Sequence, residues 1–545
     1  MADNKLAAGT YEVLRNRLRD AAGDLRDRIA KLNEERANVF GNIDTHLIST
    51  ERVTTEHNCV PRDLVSIGDK FLFGYNVQFG LKTDIDLEDV FSVYSFADNQ
   101  FHTADLQLIG DDRFNSDFHE LYKFYKGTTF TRFFRNGPML HMVFQVGKTS
   151  RDIKSFKWRV TPDSIEYLDN RSEHEVKDPP QHEFRWTRTT RDQHHYGAHP
   201  HISIDDKVFV ETVGGDLTIK VENNTESGEG IYAEPVDHAD QQLDDAEIYY
   251  AIVGNLVLLK MKPYQEDVTR YLVYNDKIQQ AMRLDEIEHA CVMLPGDHGV
   301  IFPGGYYLQT GEFKRFDHGL SDMRYQRTVA SPNGEDYLYL FYNPETGTYV
   351  QLRYNLISQT VETPLVCHGQ TFFERGEMVC FSTHDEAQKH HPIQIWQTPF
   401  TGPNYVPENQ TDSLLFKIGN KEIVRGMAEC SEILGLIDKD DSYDGLYVDL
   451  GKKSSDVLDS YFWIDKQETH QLSEPIKKIR EAANAAVEEF EKVTRVRRDT
   501  NARTKEVKAN VEALVKEIER SRFESIDDFV KHWPACENNV DTHWA

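Results

Sequence analysis

Apolar residues recur along this chain at two different periods, and the change of period marks where its parts change. Over residues 8–45 the spacing is helical. Tyr11, Leu14, Leu18 and Ala21 lie three or four apart, and Leu25, Ile29 and Leu32 continue after a one-residue slip. Charges such as Arg17, Asp20, Arg26 and Glu35 fill the other positions, so the apolar stripe is narrow and one covered face satisfies it. The same period returns over 474–530. Behind Pro475, which suits a first helical turn, Ile476, Ile479, Ala483, Ala486, Phe490 and Val493 keep strict spacing, and Val507, Val511, Leu514 and Ile518 resume the register. Arg497, Thr500 and Thr504 occupy the core positions between, which predicts a coiled coil with a weak middle. A coil of this length predicts a partner helix, and 8–45 is the nearest candidate. The expected seam is Leu14, Leu18, Leu25, Ile479, Phe490, Val493, Val511, Leu514 and Ile518.

From 62 to 402 the texture is different: short β runs rich in Tyr, Phe, Val and Ile, separated by turn pairs such as Gly214-Gly215, Asn333-Gly334 and Thr346-Gly347. An aromatic-rich strand, a polar turn and a second strand recur at irregular intervals, which suits propeller blades of about four strands. The expected fold is mainly β with flanking α, a β-propeller-like domain of about 6–7 blades. A large multi-sheet β-sandwich is the alternative. Residues 415–470 turn helical and lead into the coil, and 531–545 break off the heptad as an irregular tail.

Composition narrows the function classes. No apolar run approaches the ~20 residues a membrane span requires, and the N-terminus has no secretory core, so a cytoplasmic chain without a membrane span is expected. Six cysteines without a CxxC pair argue against structural zinc and a disulfide framework. A net charge of −29 argues against a general nucleic-acid surface. One stretch runs against that trend, with Arg495, Arg497, Arg498, Arg503, Lys505 and Lys508, to be read as a solvated coil face or as a nucleic-acid stripe.

Candidate chemistry is sparse, and no cofactor is expected. Gly147-Lys148-Thr149 resembles the end of a phosphate-binding loop, but Met142 stands where that loop needs glycine. His194, His195, His199 and His201 lie close enough to wrap a transition metal, although no Cys or carboxylate completes a recognised spacing, and a surface loop is the plainer reading. Asp438, Asp440, Asp441 and Asp444 suggest a calcium loop, but Tyr443 and Asp449 stand at its glycine and glutamate positions. Glu222, Glu226, Glu229 and Glu234 could pair for glycoside chemistry or form an ordinary acidic connection.

Longer words carry more information. Cys59-Val-Pro-Arg-Asp63, Leu72-Phe-Gly-Tyr-Asn-Val77, Gly80-Leu-Lys-Thr83, VFVETVGGDLTIKVEN (208–223), GEGIY (228–232), Glu234-Pro-Val-Asp237, LDDAEI (243–248), DHGVIFPGGYYLQTGE (297–312), SPNGED (331–336) and Tyr354-Asn-Leu-Ile357 together resemble the N-terminal region of large bacterial proteins described as DNA repair ATPases. The resemblance implies a β-rich domain, long coiled coils and an AAA+ ATPase module downstream, a module this chain is expected to lack. The expected function is a non-catalytic recognition and assembly module that binds protein partners through the propeller. Its coils would self-associate into a homo-oligomer or couple to the motor. The alternatives are a propeller-type hydrolase or lyase, and nucleic-acid binding through the basic stretch.

Overall fold

The computed structural model describes residues 2–487 except 42–43, 78–83, 99, 163, 317–319, 321, 374, 383–385, 403–411 and 440–444, together with 489, 500, 503, 504, 508 and 511. The chain divides into two compact units, one of residues 33–431 and one of residues 1–32 with 432–545.

In the helical unit the apolar stripe of the helix Ala2–Phe40 is covered by the chain's own helices. Leu14, Leu18, Leu25 and Ile29 are buried, as are Ile476, Ile479 and Ala483 of the helical stretch 473–487. The two run antiparallel. Arg28 Nη2 reaches Glu474 at 3.2 Å, and further along a shallow groove is lined by Leu14 and Arg17 on one side and Glu481 and Ala485 on the other. A third helix, Leu446–Ser460, touches both. Tyr11 and Tyr447 share a 2.7 Å hydroxyl hydrogen bond, and Gly451 lies so close to Asn484 that a Cβ there would meet its Oδ1 at 2.5 Å. Of the expected seam, Leu14, Leu18, Leu25 and Ile479 are therefore core residues of this bundle, and Val511 is 40% exposed. Phe490, Val493, Leu514 and Ile518 lie outside the described residues.

The other unit is mainly β, built from antiparallel sheets in propeller-like meanders. The strands begin at His46, ahead of residue 62 where the aromatic-rich texture starts, and continue to Gln397. The strands follow one another as seven successive meanders among the described residues, paired into five sheets. The first is the second half of His46–Ile67 with Lys70–Val77, Phe91–Ala97 and Gln100–Ala104. The second spans 129–169, the third 194–235, the fourth 247–283, the fifth 292–315 and the sixth 324–361. The seventh, 365–397, is completed by the first half of His46–Ile67, which pairs with Gln388–Gln397. One 22-residue strand thus serves two meanders, and the sixth, seventh and first are paired edge to edge as a single 11-stranded sheet.

Apolar faces join these meanders in pairs. Six hydrophobic clusters connect third to fourth, fourth to fifth, fifth to sixth, sixth to seventh, seventh to first, and first to second. The second and third, consecutive in sequence, are instead linked by residues 178–193, which travel back along the row. Asp178 accepts from Arg324 of the sixth meander, and Glu183 accepts from the Met293 N–H of the fifth. Phe184 enters the core between the fourth and fifth, and Thr187–Arg188 pair with Tyr249 and Tyr250 of the fourth. No sheet closes on itself among the described residues. Two further helical pieces anchor here: Arg36, 4% exposed, holds Glu335 at 2.7 Å and Asn420 at 3.0 Å.

Candidate functional site

Four meanders bring their leading strands together at one place, and each of those strands carries a β-bulge there. The register slips at Arg62 in the first meander, Thr131 in the second, Gln326 in the sixth and Gly369 in the seventh. A bulge inserts an unpaired residue and re-aims the side chains beside it, which is why bulges gather where side chains converge. At Gly369 (φ +63°) the reason for glycine is visible, since a Cβ would sit 2.6 Å from the Cα of Asp63.

Asp63 is the hub of this convergence. It is 3% exposed, its Oδ1 accepts the Leu64 N–H at 2.8 Å, and its Oδ2 accepts the Phe133 N–H at 2.8 Å and the Tyr349 hydroxyl at 3.2 Å. Burial nevertheless dominates and pushes its carboxyl up to about 7. Nearby, Arg132 donates to Gln326 Oε1 at 2.7 Å and to Asp178 Oδ1 at 2.8 Å, with its guanidinium 5.0 Å from the Tyr342 ring centre. Asp178 also accepts from Arg324 at 3.0 Å. Burial alone would raise the Asp178 carboxyl, but the Arg132 charge and the donated hydrogen bonds outweigh it and hold it below the usual range.

Two cavities flank the network. The larger, about 430 Å³, is walled by Asp63, Phe133, Phe134, Arg135, Arg327, Tyr349, Gln370 and Phe373. The smaller, about 330 Å³, is walled by Arg132, Gln145, Ser150, Glu173, His174, Asp178 and Tyr342. The larger holds cations, amides, hydroxyls and rings; its carboxylate, Asp63, has both oxygens occupied by donors. Such a wall is equipped to hold a ligand by charge and stacking.

The Asp63 environment predicts a pH dependence of stability. Between pH about 4 and about 7 the folded chain keeps a proton on Asp63 that the unfolded chain has released. Folded stability therefore falls as pH rises through that window, and Asp336, pushed up to about 6 by burial, acts in the same direction. In Asp63→Asn the slope is expected to become shallower when denaturation midpoints are compared at several pH values across the window. An unchanged slope would remove Asp63 as its source.

The residues singled out in the sequence lie elsewhere. His194 and His195 pair with strand His201–Ile204, the His195 and His201 rings stack with centres 5.2 Å apart, and His199 Nδ1 is 3.6 Å from Glu211. Among the described residues no group of three or more His, Cys, Asp or Glu is placed to hold a metal ion. Glu234 is engaged by Arg270 at 3.0 Å and Arg283 at 3.2 Å, with the Tyr232 hydroxyl donating at 2.8 Å, as part of an ion cluster. Gly147, Lys148 and Thr149 form a turn between strands, where the Asp152 carboxylate accepts from the Thr149 N–H and hydroxyl at 3.0 and 2.9 Å. Asp438 ends a helix and pairs with Arg26, while Asp440, Asp441 and Asp444 are outside the described residues. Arg503 and Lys508 are helical and exposed; Arg495, Arg497, Arg498 and Lys505 are likewise outside. The word Cys59-Val-Pro-Arg-Asp63 contains both Arg62 and Asp63, and it is the sequence signal that pointed nearest to the site.

Comparison with known proteins gives a family and little more. No curated protein matches the sequence. A chain of the mitotic checkpoint complex crystal structure overlaps at 9% identity and a TM-score of 0.24, covering 66% of this chain and 93% of that one. The Dos1 propeller overlaps at 8% identity and a TM-score of 0.19, covering 64% and 94%. The S. cerevisiae core factor overlaps at 8% identity and a TM-score of 0.22, covering 78% and 76%. At such scores the overlaps carry no argument, and the fold description rests on strand pairing. A family model matches residues 24–462, a span that takes in all seven meanders and the helices behind them. On that match the chain belongs to the DUF3686 family, described as an ATPase involved in DNA repair.

Proposed function

We propose that this chain is the non-catalytic recognition and assembly module of a cytoplasmic AAA+ ATPase. Its meanders bind a protein partner, and its helices self-associate or couple to the motor. The observation that carries the reading is a set of exposed rings on the connections of the meanders: Phe124 and Tyr196, 71% and 72% exposed, with Tyr125 and Tyr264. Rings of this size in water are the side chains that protein interfaces use as anchors. Family membership supplies the association with ATP hydrolysis, which this reading assigns to the motor and not to these residues. Among the described residues no helix is long and apolar enough to cross a membrane.

The test is calorimetric titration of the chain against the ATPase-bearing segment of a family protein. Saturable binding that weakens about tenfold or more in the Phe124→Ser, Tyr196→Ser double variant is expected. Equal affinity for the variant, with unchanged circular dichroism, would refute the role of these rings. Absence of any binding would refute the coupling.

A further inference from the structure

We propose that the larger cavity is a binding site for a phosphomonoester whose molecule also bears a planar ring. The reading goes beyond the partner-binding role and does not depend on it.

Charge is the first ground. Arg135 and Arg327 line the cavity and are exposed residues, and neither forms an ion pair among the described residues. Arg135 makes one long hydrogen bond, 3.4 Å from Nε to the Gly137 carbonyl. Burial is the main influence that disfavours the Arg327 charge; Tyr349 and Asp63 favour it, and the like charge of Arg135 adds to the burial effect. Asp63 offsets them only in part, because its oxygens are filled by donors and its burial favours the neutral acid, although it supports the Arg327 charge. An island of unpaired positive charge on a chain of net charge −29 is a place where an anion gains binding energy. A phosphomonoester brings close to two negative charges and three acceptor oxygens, enough for both guanidinium groups. A carboxylate brings one charge and satisfies one fork.

Shape and polarity give the rest. The volume, about 430 Å³, lies within the range of small-ligand sites. Phe133, Phe134, Phe373 and Tyr349 place four aromatic side chains in the walls, the residue type that packs against a flat group. Gln370 adds a polar contact: its Oε1 is buried with no hydrogen-bond partner among the described residues. An amide can turn either end toward a ligand.

The test uses the full chain and three probes in calorimetric titration: AMP, O-phosphotyrosine and benzoate. At least one of the two phosphomonoesters should bind about tenfold or more tightly than benzoate, and which one tells a nucleotide source from a modified amino acid. Arg327→Ala should weaken that binding about tenfold or more, and Arg327→Lys should restore part of it. Failure of both phosphomonoesters to bind, benzoate binding as tightly as they do, or Arg327→Ala leaving affinity unchanged would each overturn the proposal. Among the described residues Arg327 makes no ion pair, so its loss should leave the thermal midpoint near that of the unaltered chain.

Discussion

Replacing Arg132 by Met should destabilise the sheet unit by about 3–5 kcal/mol, the range for breaking a buried ion pair by removing one partner. The side chain is 9% exposed and joins two meanders and the linking segment: it rises from the second, binds Gln326 of the sixth, and holds Asp178 at the start of the segment. Without it Asp178 keeps Arg324 at 3.0 Å and a longer 3.3 Å bond from Gln326, but loses the more buried of its two cationic partners. The Tyr342 ring would also lose the cation above it. Chemical denaturation followed by the fluorescence of the six tryptophans measures the effect. A double variant, Arg132→Met with Asp178→Leu, should recover part of the loss, because it leaves no unpaired buried charge. A loss below about 1 kcal/mol in the single variant would show the network to be well solvated.

Gly299→Ala is the second large effect, about 3 kcal/mol or more. Gly299 opens a strand of the fifth meander at φ +142°, opposite Leu308, and a Cβ there would collide with the Tyr307 carbonyl oxygen. Two costs combine, a backbone conformation that side chains avoid and an overlap with main chain that cannot move aside. Gly304, in the turn of the same hairpin, is a matched control, since a Cβ there meets nothing within 4 Å. Gly304→Ala should fall within about 0.5 kcal/mol of the unaltered chain. Equal midpoints for the two variants would contradict the packing described.

What the sequence made legible follows from how local each signal is. Helical spacing at Leu14, Leu18, Leu25 and Ile479 marked side chains that are buried, because a stripe recurring every three or four residues is set by the helix itself. Aromatic-rich runs marked the mainly β, propeller-like region, yet missed its first strand. HLISTERVTTEH alternates polar residues with few rings, as expected of a segment paired half with one meander and half with another. The convergence around Asp63 was not legible. Asp63, Arg132, Asp178 and Arg324 come from four distant stretches, and the bulges that aim them leave no mark in composition. The histidine and glutamate clusters drew notice because they are dense in sequence, whereas the convergence is dense only in space.

The shared strand has a consequence for synthesis. Residues 46–59 leave the ribosome early, while their partner, Gln388–Gln397, is made near the end of the sheet region. At about 5–20 residues per second the interval is roughly twenty to seventy seconds, during which half a strand waits with its ladder open. Exposed strand edges invite pairing with other chains, and charged or polar side chains are the usual protection. Ser49, Glu51, Arg52, Thr54, Thr55 and Glu56 fall in that waiting stretch. The poverty in rings that hid this strand from sequence reading is what lets a nascent chain carry it safely until the last meander arrives.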